Sequence, residues 1–132
     1  MSLLRRVVYL EAAVWGITGV ALAIFPHIVL ETIFNQAPYA DYAFVRILGV
    51  DDVAMAMLMV LVAQRARELW WWSWAFFFPT ILIAIVAVLN ATLSLPRFSS
   101  SLMWWLLAAV NAVLAGALLL GLARTGRERP LP

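Results

Sequence analysis

Four long apolar runs, separated by short polar breaks, organise this chain, and they have the length of membrane helices. They predict spans over about 7–25, 42–63, 69–89 and 102–122. Pro26 closes the first run. Ile28 to Phe34 is apolar apart from Glu31, too short to cross, and expected to lie along the interface. Asn35 to Asp41 is turn-rich, Gln64 to Glu68 is a tight polar loop, and Asn90 to Ser101 is a longer loop with Pro96 and three consecutive serines. The residues after Ala123 are polar and expected to fray. Pro79 falls near the middle of the third run, where the missing N–H would free the carbonyl of Ala75. The expected class is all-α: a single transmembrane four-helix bundle, residues 1–132, with a short interfacial helix between its first and second spans.

Composition strengthens that reading. The chain is 66% hydrophobic and 12% charged; soluble domains carry about 25% charged residues. So short a soluble chain could not hide that much apolar surface in one core. All nine basic residues are arginine, spread over helix ends, which does not make a nucleic-acid surface. With no cysteine there is no disulfide, thiolate nucleophile or thiolate metal site. His27, the single histidine, argues against a histidine-built zinc or haem site, so neither metal nor cofactor is expected. Arg5 and Arg6 ahead of an apolar run resemble a signal peptide, but Glu11 and the length of the run favour a retained span.

Arginine placement predicts orientation. Arg5, Arg6, Arg65, Arg67, Arg124, Arg127 and Arg129 fall on one side of a four-span arrangement, and Arg97 alone on the other. Both termini are expected on the cytoplasmic side of the inner (plasma) membrane. Trp70, Trp71, Trp72 and Trp74 at one boundary, and Trp104 and Trp105 at another, read as an aromatic belt, with a cation-binding cage as the alternative. Small residues four apart (Ala12 and Gly16; Ala108, Ala112 and Gly116; Ala117 and Gly121) mark faces where helices approach closely. Met55, Met57 and Met59 read as soft packing, because alternate helical residues point apart.

The second span holds the costly residues Arg46, Asp51 and Asp52. They cannot lie outside the membrane, because the eleven residues from Val53 to Ala63 extend only about 16 Å. Three central charges cost roughly 7–10 kcal/mol, while the ten Leu, Ile, Val and Phe of the span return about 3–6 kcal/mol. The charged face is therefore expected inside a bundle. At 100° per residue Asp51 and Asp52 diverge, and neither is a clean helical partner for Arg46. One carboxyl must meet another helix, take up a proton, or face water or a second subunit. Glu11, Thr80 and Asn111 are candidate partners, together with Thr18, in a polar layer across the bundle. Asp51, Asp52, Glu11, Arg46, Asn111 and Thr80 thus form the candidate ion- or ligand-binding set, and a purely structural charge network is the bland alternative. His27, expected at the interface, could sense pH.

Gly16 and Gly19 in a first span ending at Pro26, a short interfacial segment, and Arg46-Ile47-Leu48-Gly49 opening the second span form a pattern. In it the chain resembles small four-span bacterial membrane proteins of the DoxX-like and related domain-of-unknown-function kind. The resemblance implies the four-span fold and, for some members, partnership with redox proteins. It assigns no functional residue, and the Asp51-Asp52 pair and the Trp70–Trp72 run stand outside it.

Three functions remain. The first is binding or translocation of a proton, small cation or polar solute at a midplane acidic site, in a homo-oligomer. The second is an accessory or scaffold subunit of a larger membrane complex, held by a partner membrane subunit. The third is a membrane enzyme on a lipophilic substrate with a carboxyl of Asp51, Asp52 or Glu11 as general acid. No nucleophile–base, phosphate-loop or metal motif supports the third, so an enzyme is the least expected.

Overall fold

The computed structural model describes residues 2–93 and 99–129, with no strand among them. Pro96 and Arg97, assigned from sequence to the outer loop, lie outside the described residues. The long helices are α1 (Leu3–Ile24), α2 (Ala43–Gln64), α4 (Trp74–Leu93) and α5 (Leu102–Glu128). A short α3 (Ala66–Leu69) and a 3₁₀ turn (Trp70–Ser73) lead into α4. Among the described residues three stretches are long and apolar enough to cross a membrane: Leu3–Ile24, Ala66–Leu93 and Leu102–Glu128. The all-helical, membrane-type class expected from the pattern is what the chain adopts. α2 matches α1 in length, 22 residues each.

Local chemistry sets the boundaries. Ser2 caps α1, its hydroxyl accepting from the Arg5 N–H at 3.3 Å, so the helix begins at Leu3, ahead of the apolar run. Pro26 lacks an N–H and α1 stops at Ile24. The segment after it is a π-helical turn, Ile28–Ile33, with Leu30 buried and Ile28 and Ile33 exposed. Asn35 has φ 49°, a left-handed conformation that asparagine tolerates, and it turns the chain toward α2. This connection is stitched to the one before α5. The Gln36 side-chain amide donates to the Ser100 carbonyl at 2.8 Å, the Ala37 N–H to the Ser99 hydroxyl at 3.0 Å, and the Ser100 N–H to the Asn35 carbonyl at 3.2 Å.

Several boundaries differ from the sequence expectation: besides the early start of α1, the helix α4 runs through Asn90 to Leu93, into the expected loop. α5 does not fray after Ala123 but runs to Glu128. Thr125 bonds back to the Gly121 carbonyl at 2.9 Å, and Arg129 donates to the Arg67 carbonyl at 2.8 Å. Arg127 in the last turn complements the negative end of the helix dipole. Pro79 also falls earlier than expected, in the second turn of α4, because a 3₁₀ turn occupies the start of the run.

α1 packs against α2 along its length and against α5, and α5 packs against α4, so α1 and α5 form the central pair. The main apolar core lies toward the end that carries both termini. It joins Leu4, Val8, Met59, Phe76, Leu118 and Leu122 with Trp70. Trp70 is thus a core residue seated beside Gly126, whereas Trp71, Trp72 and Trp74 point outward as a belt would. At the other end α1 and α2 cross at Gly19 and Gly49. A Cβ on Gly49 would stand 2.5 Å from the Ala23 nitrogen, and one on Gly19 would stand 2.6 Å from the Gly49 carbonyl oxygen. Only glycine permits this separation.

Candidate functional site

Arg46 sits in the first turn of α2, against the end of α1. Its Nη1 donates to the carbonyls of Ala23 at 2.9 Å and Ile24 at 3.3 Å. The last four carbonyls of a helix have no intrahelical partner, and they form the negative end of its dipole. A cation is the appropriate cap there. Arg46 is therefore engaged by α1 and turned away from the aspartates one to two turns further along α2.

Asp51 and Asp52 diverge as their 100° separation requires. Asp52 is half-buried beside the α1–α2 crossing, its Cβ 2.8 Å from where a Gly19 Cβ would stand. Asp51, about 100° round α2 from it, is exposed. One turn before it is Ile47, one turn after it Ala54, and two turns away in either direction are Phe44 and Leu58, all exposed. A carboxyl thus stands at the centre of an outward apolar stripe. The expectation that the whole charged face turns inward is corrected here. α2 spends its inward face on α1, through Gly49, Ala56 and Met59, and has only one side to bury. Among the described residues the one ion pair is His27 with Glu31, so none of the described arginines pairs with either aspartate.

Glu11 is the most enclosed ionisable group, with no exposed surface. Its Oε1 accepts a hydrogen bond from the hydroxyl of Thr80, also fully buried, across the interior from α4. Its Oε2 is buried and has no partner. Asn111, also buried, donates instead to the Leu107 carbonyl of its own helix at 2.9 Å. The polar layer anticipated from sequence therefore separates into parts. Glu11 and Thr80 meet, Asn111 closes on α5, and Asp52 lies at the level of Gly19, eight residues and about 12 Å along α1 from Glu11. Replacing Thr80 with valine removes the one partner that a buried carboxyl has among the described residues, while preserving shape. The expected result is a loss of about 1–3 kcal/mol of stability, measured as a lower unfolding temperature in mild detergent. Thr80→Ser, which keeps the hydroxyl, should retain most of it.

Sequence reading missed one polar cluster. At the loop end Glu31 accepts from the Tyr42 hydroxyl and pairs with His27, Nε2 to Oε2 at 2.8 Å. The His27 and Tyr42 rings meet edge to face, with centroids 5.9 Å apart. The i, i+4 spacing of His27 and Glu31 was the available signal; Tyr42 is brought in only by the turn between α1 and α2. The Gly19–Gly49 crossing was also missed, although Gly19 and Ala23 carry the four-residue spacing that marks the other small-residue stripes.

These residues provide two separate acidic features, one enclosed at Glu11 and Thr80 and one opening outward at Asp51. Neither includes a nucleophile–base pair, and no group of three or more His, Cys, Asp or Glu among the described residues is placed to hold a metal ion. No family model matches the chain, and no curated protein or solved structure matches it.

Proposed function

We propose that this chain crosses the inner membrane four times with both termini in the cytoplasm. We propose further that it binds or passes a proton or small cation at the Asp51–Asp52 site, completed by a second copy of the chain. The observation that carries this reading is Asp51 itself, an ionisable group centred in an exposed apolar stripe on α2. In lipid such a position costs roughly 2.5–3.5 kcal/mol, and a neighbouring subunit is the surroundings that lower the cost. α2 is counted as the fourth span because its 22 residues extend about 33 Å beside α1. Four crossings put Arg5, Arg6, Arg65, Arg67, Arg124, Arg127 and Arg129 on one side, as the positive-inside rule requires. The π-helical turn at Ile28–Ile33, exposing apolar and polar side chains alike, then lies at the outer interface.

The same exposed face favours a second reading, an accessory subunit whose α2 docks on a different membrane polypeptide. Flux measurements separate the two. In proteoliposomes the wild type should dissipate a proton or monovalent-cation gradient, and Asp51→Asn and Asp52→Asn should each cut the rate at least about tenfold, a loss near 1.4 kcal/mol in barrier terms. Both variants should retain the wild-type assembly by native mass spectrometry. No flux from correctly folded wild type, with another polypeptide co-purifying at fixed stoichiometry, would establish the accessory reading instead.

A further inference from the structure

A second polar feature lies at the end of the molecule that carries both termini, far from the aspartates. The start of α1, the α2–α3 junction and the end of α5 enclose a cleft of about 590 Å³. Arg5, Arg65, Arg67 and Arg129 line it, against Glu68 and Glu128. The guanidinium of Arg5 is held 5.7 Å from the centre of the Tyr9 ring, and its Nε is shielded from solvent with no hydrogen-bond partner. A shielded, unpartnered guanidinium N–H is costly and rare. Arg129 is fixed by its bond to the Arg67 carbonyl, and among the described residues the rest of its fork of donors has no other partner. None of the four arginines is ion-paired with either glutamate, since the one ion pair among the described residues lies at the opposite end. The cleft therefore has two more positive charges than negative ones, and its donors converge from three separate segments.

From this geometry we infer that the cleft is a binding site for an anionic phosphate group, held by Arg5 with Arg65, Arg67 and Arg129. Guanidinium forks match phosphate oxygens in pairs. The volume lies within the range of small-ligand sites and accommodates a glycerophosphate headgroup. At the membrane-proximal end of α1 and α5 the phosphate can come from an anionic lipid of the same leaflet or from a phosphorylated solute in the adjoining water. The site is independent of the acidic feature on α2 and does not rest on its assignment.

The test is native mass spectrometry of the full chain from mild detergent doped with phosphatidylglycerol or, separately, phosphatidylcholine, with soluble glycerol phosphate as competitor. Phosphatidylglycerol should be retained over phosphatidylcholine, and Arg5→Gln should weaken retention about tenfold. Should Arg5→Gln fail to fold, Glu68→Gln with Glu128→Gln gives an independent reading, because removing the two acids should tighten retention. Displacement of the lipid by glycerol phosphate at millimolar concentration would identify a soluble phosphate compound as the ligand. Resistance to it would identify the lipid headgroup. Equal retention of the two lipids with no binding of glycerol phosphate, or retention unchanged in both sets of variants, would overturn the inference.

Discussion

Replacing Gly49 with alanine is expected to destabilise this protein by about 2–3 kcal/mol, and replacing it with leucine is expected to prevent folding. The added Cβ would meet the Ala23 nitrogen at 2.5 Å, the Gly19 carbonyl oxygen at 2.6 Å and the Leu22 carbonyl carbon at 3.0 Å. All three are backbone atoms, so no rotamer change relieves the contact and the two helices must separate. Separation loosens two other features. Arg46 is placed to cap α1 only while α2 crosses at this point, and Asp52 is half-buried only by the same approach. Gly19→Ala should behave similarly, since its Cβ would meet the Gly49 carbonyl oxygen, the Asp52 Cβ and Val53 Cγ2 at 2.6, 2.8 and 2.9 Å. Gly116→Ala supplies the contrast. Nothing stands within 4 Å of the added Cβ, and alanine is the better helix former by about 1 kcal/mol, so stability should be unchanged or slightly raised. Thermal unfolding followed by tryptophan fluorescence in mild detergent orders the three.

Asp51→Leu should act in opposite directions on the isolated chain and on the assembly. For a single chain in lipid, leucine at that position is more favourable than aspartate by about 3 kcal/mol, because the site is outward and flanked by Ile47, Ala54 and Leu58. The monomer should therefore become more stable. Proton or cation flux should disappear, and self-association should change with it, because the polar group at the centre of the shared face is gone. Asp52→Leu should show no such gain, since Asp52 lies at the tight α1–α2 crossing and a larger side chain there is resisted by Gly19 and its neighbours. A substitution that stabilises the protein while abolishing its activity would mark Asp51 as retained for function rather than packing.

The membrane character was legible because it depends on hydropathy along one dimension. The stop before Pro26, the polar break near Arg65 and the start of the last helix at Leu102 all follow from residues read in order. Boundary errors arose where side chains supplied bonds that hydropathy does not record, at Ser2 and at Thr125 and Arg129. The site was legible only in part. Helical geometry requires Asp51 and Asp52 to diverge, but which one faces inward depends on where α1 lies, and that is decided by Gly19 and Gly49. Glu11 and Thr80 were candidate partners because both are polar in apolar spans; their meeting depends on how α1 and α4 sit around α5. Among the small residues, Gly121 packs against Leu4 while Gly116 faces open space, a difference that spacing alone does not contain.

The most direct test of the proposed assembly is to place a photo-crosslinking amino acid at Ala54, one turn from Asp51 on the outward stripe, and irradiate it in native membranes. Ile17, 72% exposed on α1, serves as the comparison position. The expected result is a protein adduct of twice the 14.7 kDa chain mass from position 54, weak or absent at position 17 and lost in Asp51→Leu. An adduct with a different polypeptide would make the chain a subunit of another complex. Adducts with lipid alone at position 54 would contradict the account, because they would leave Asp51 facing the bilayer with no protein against it.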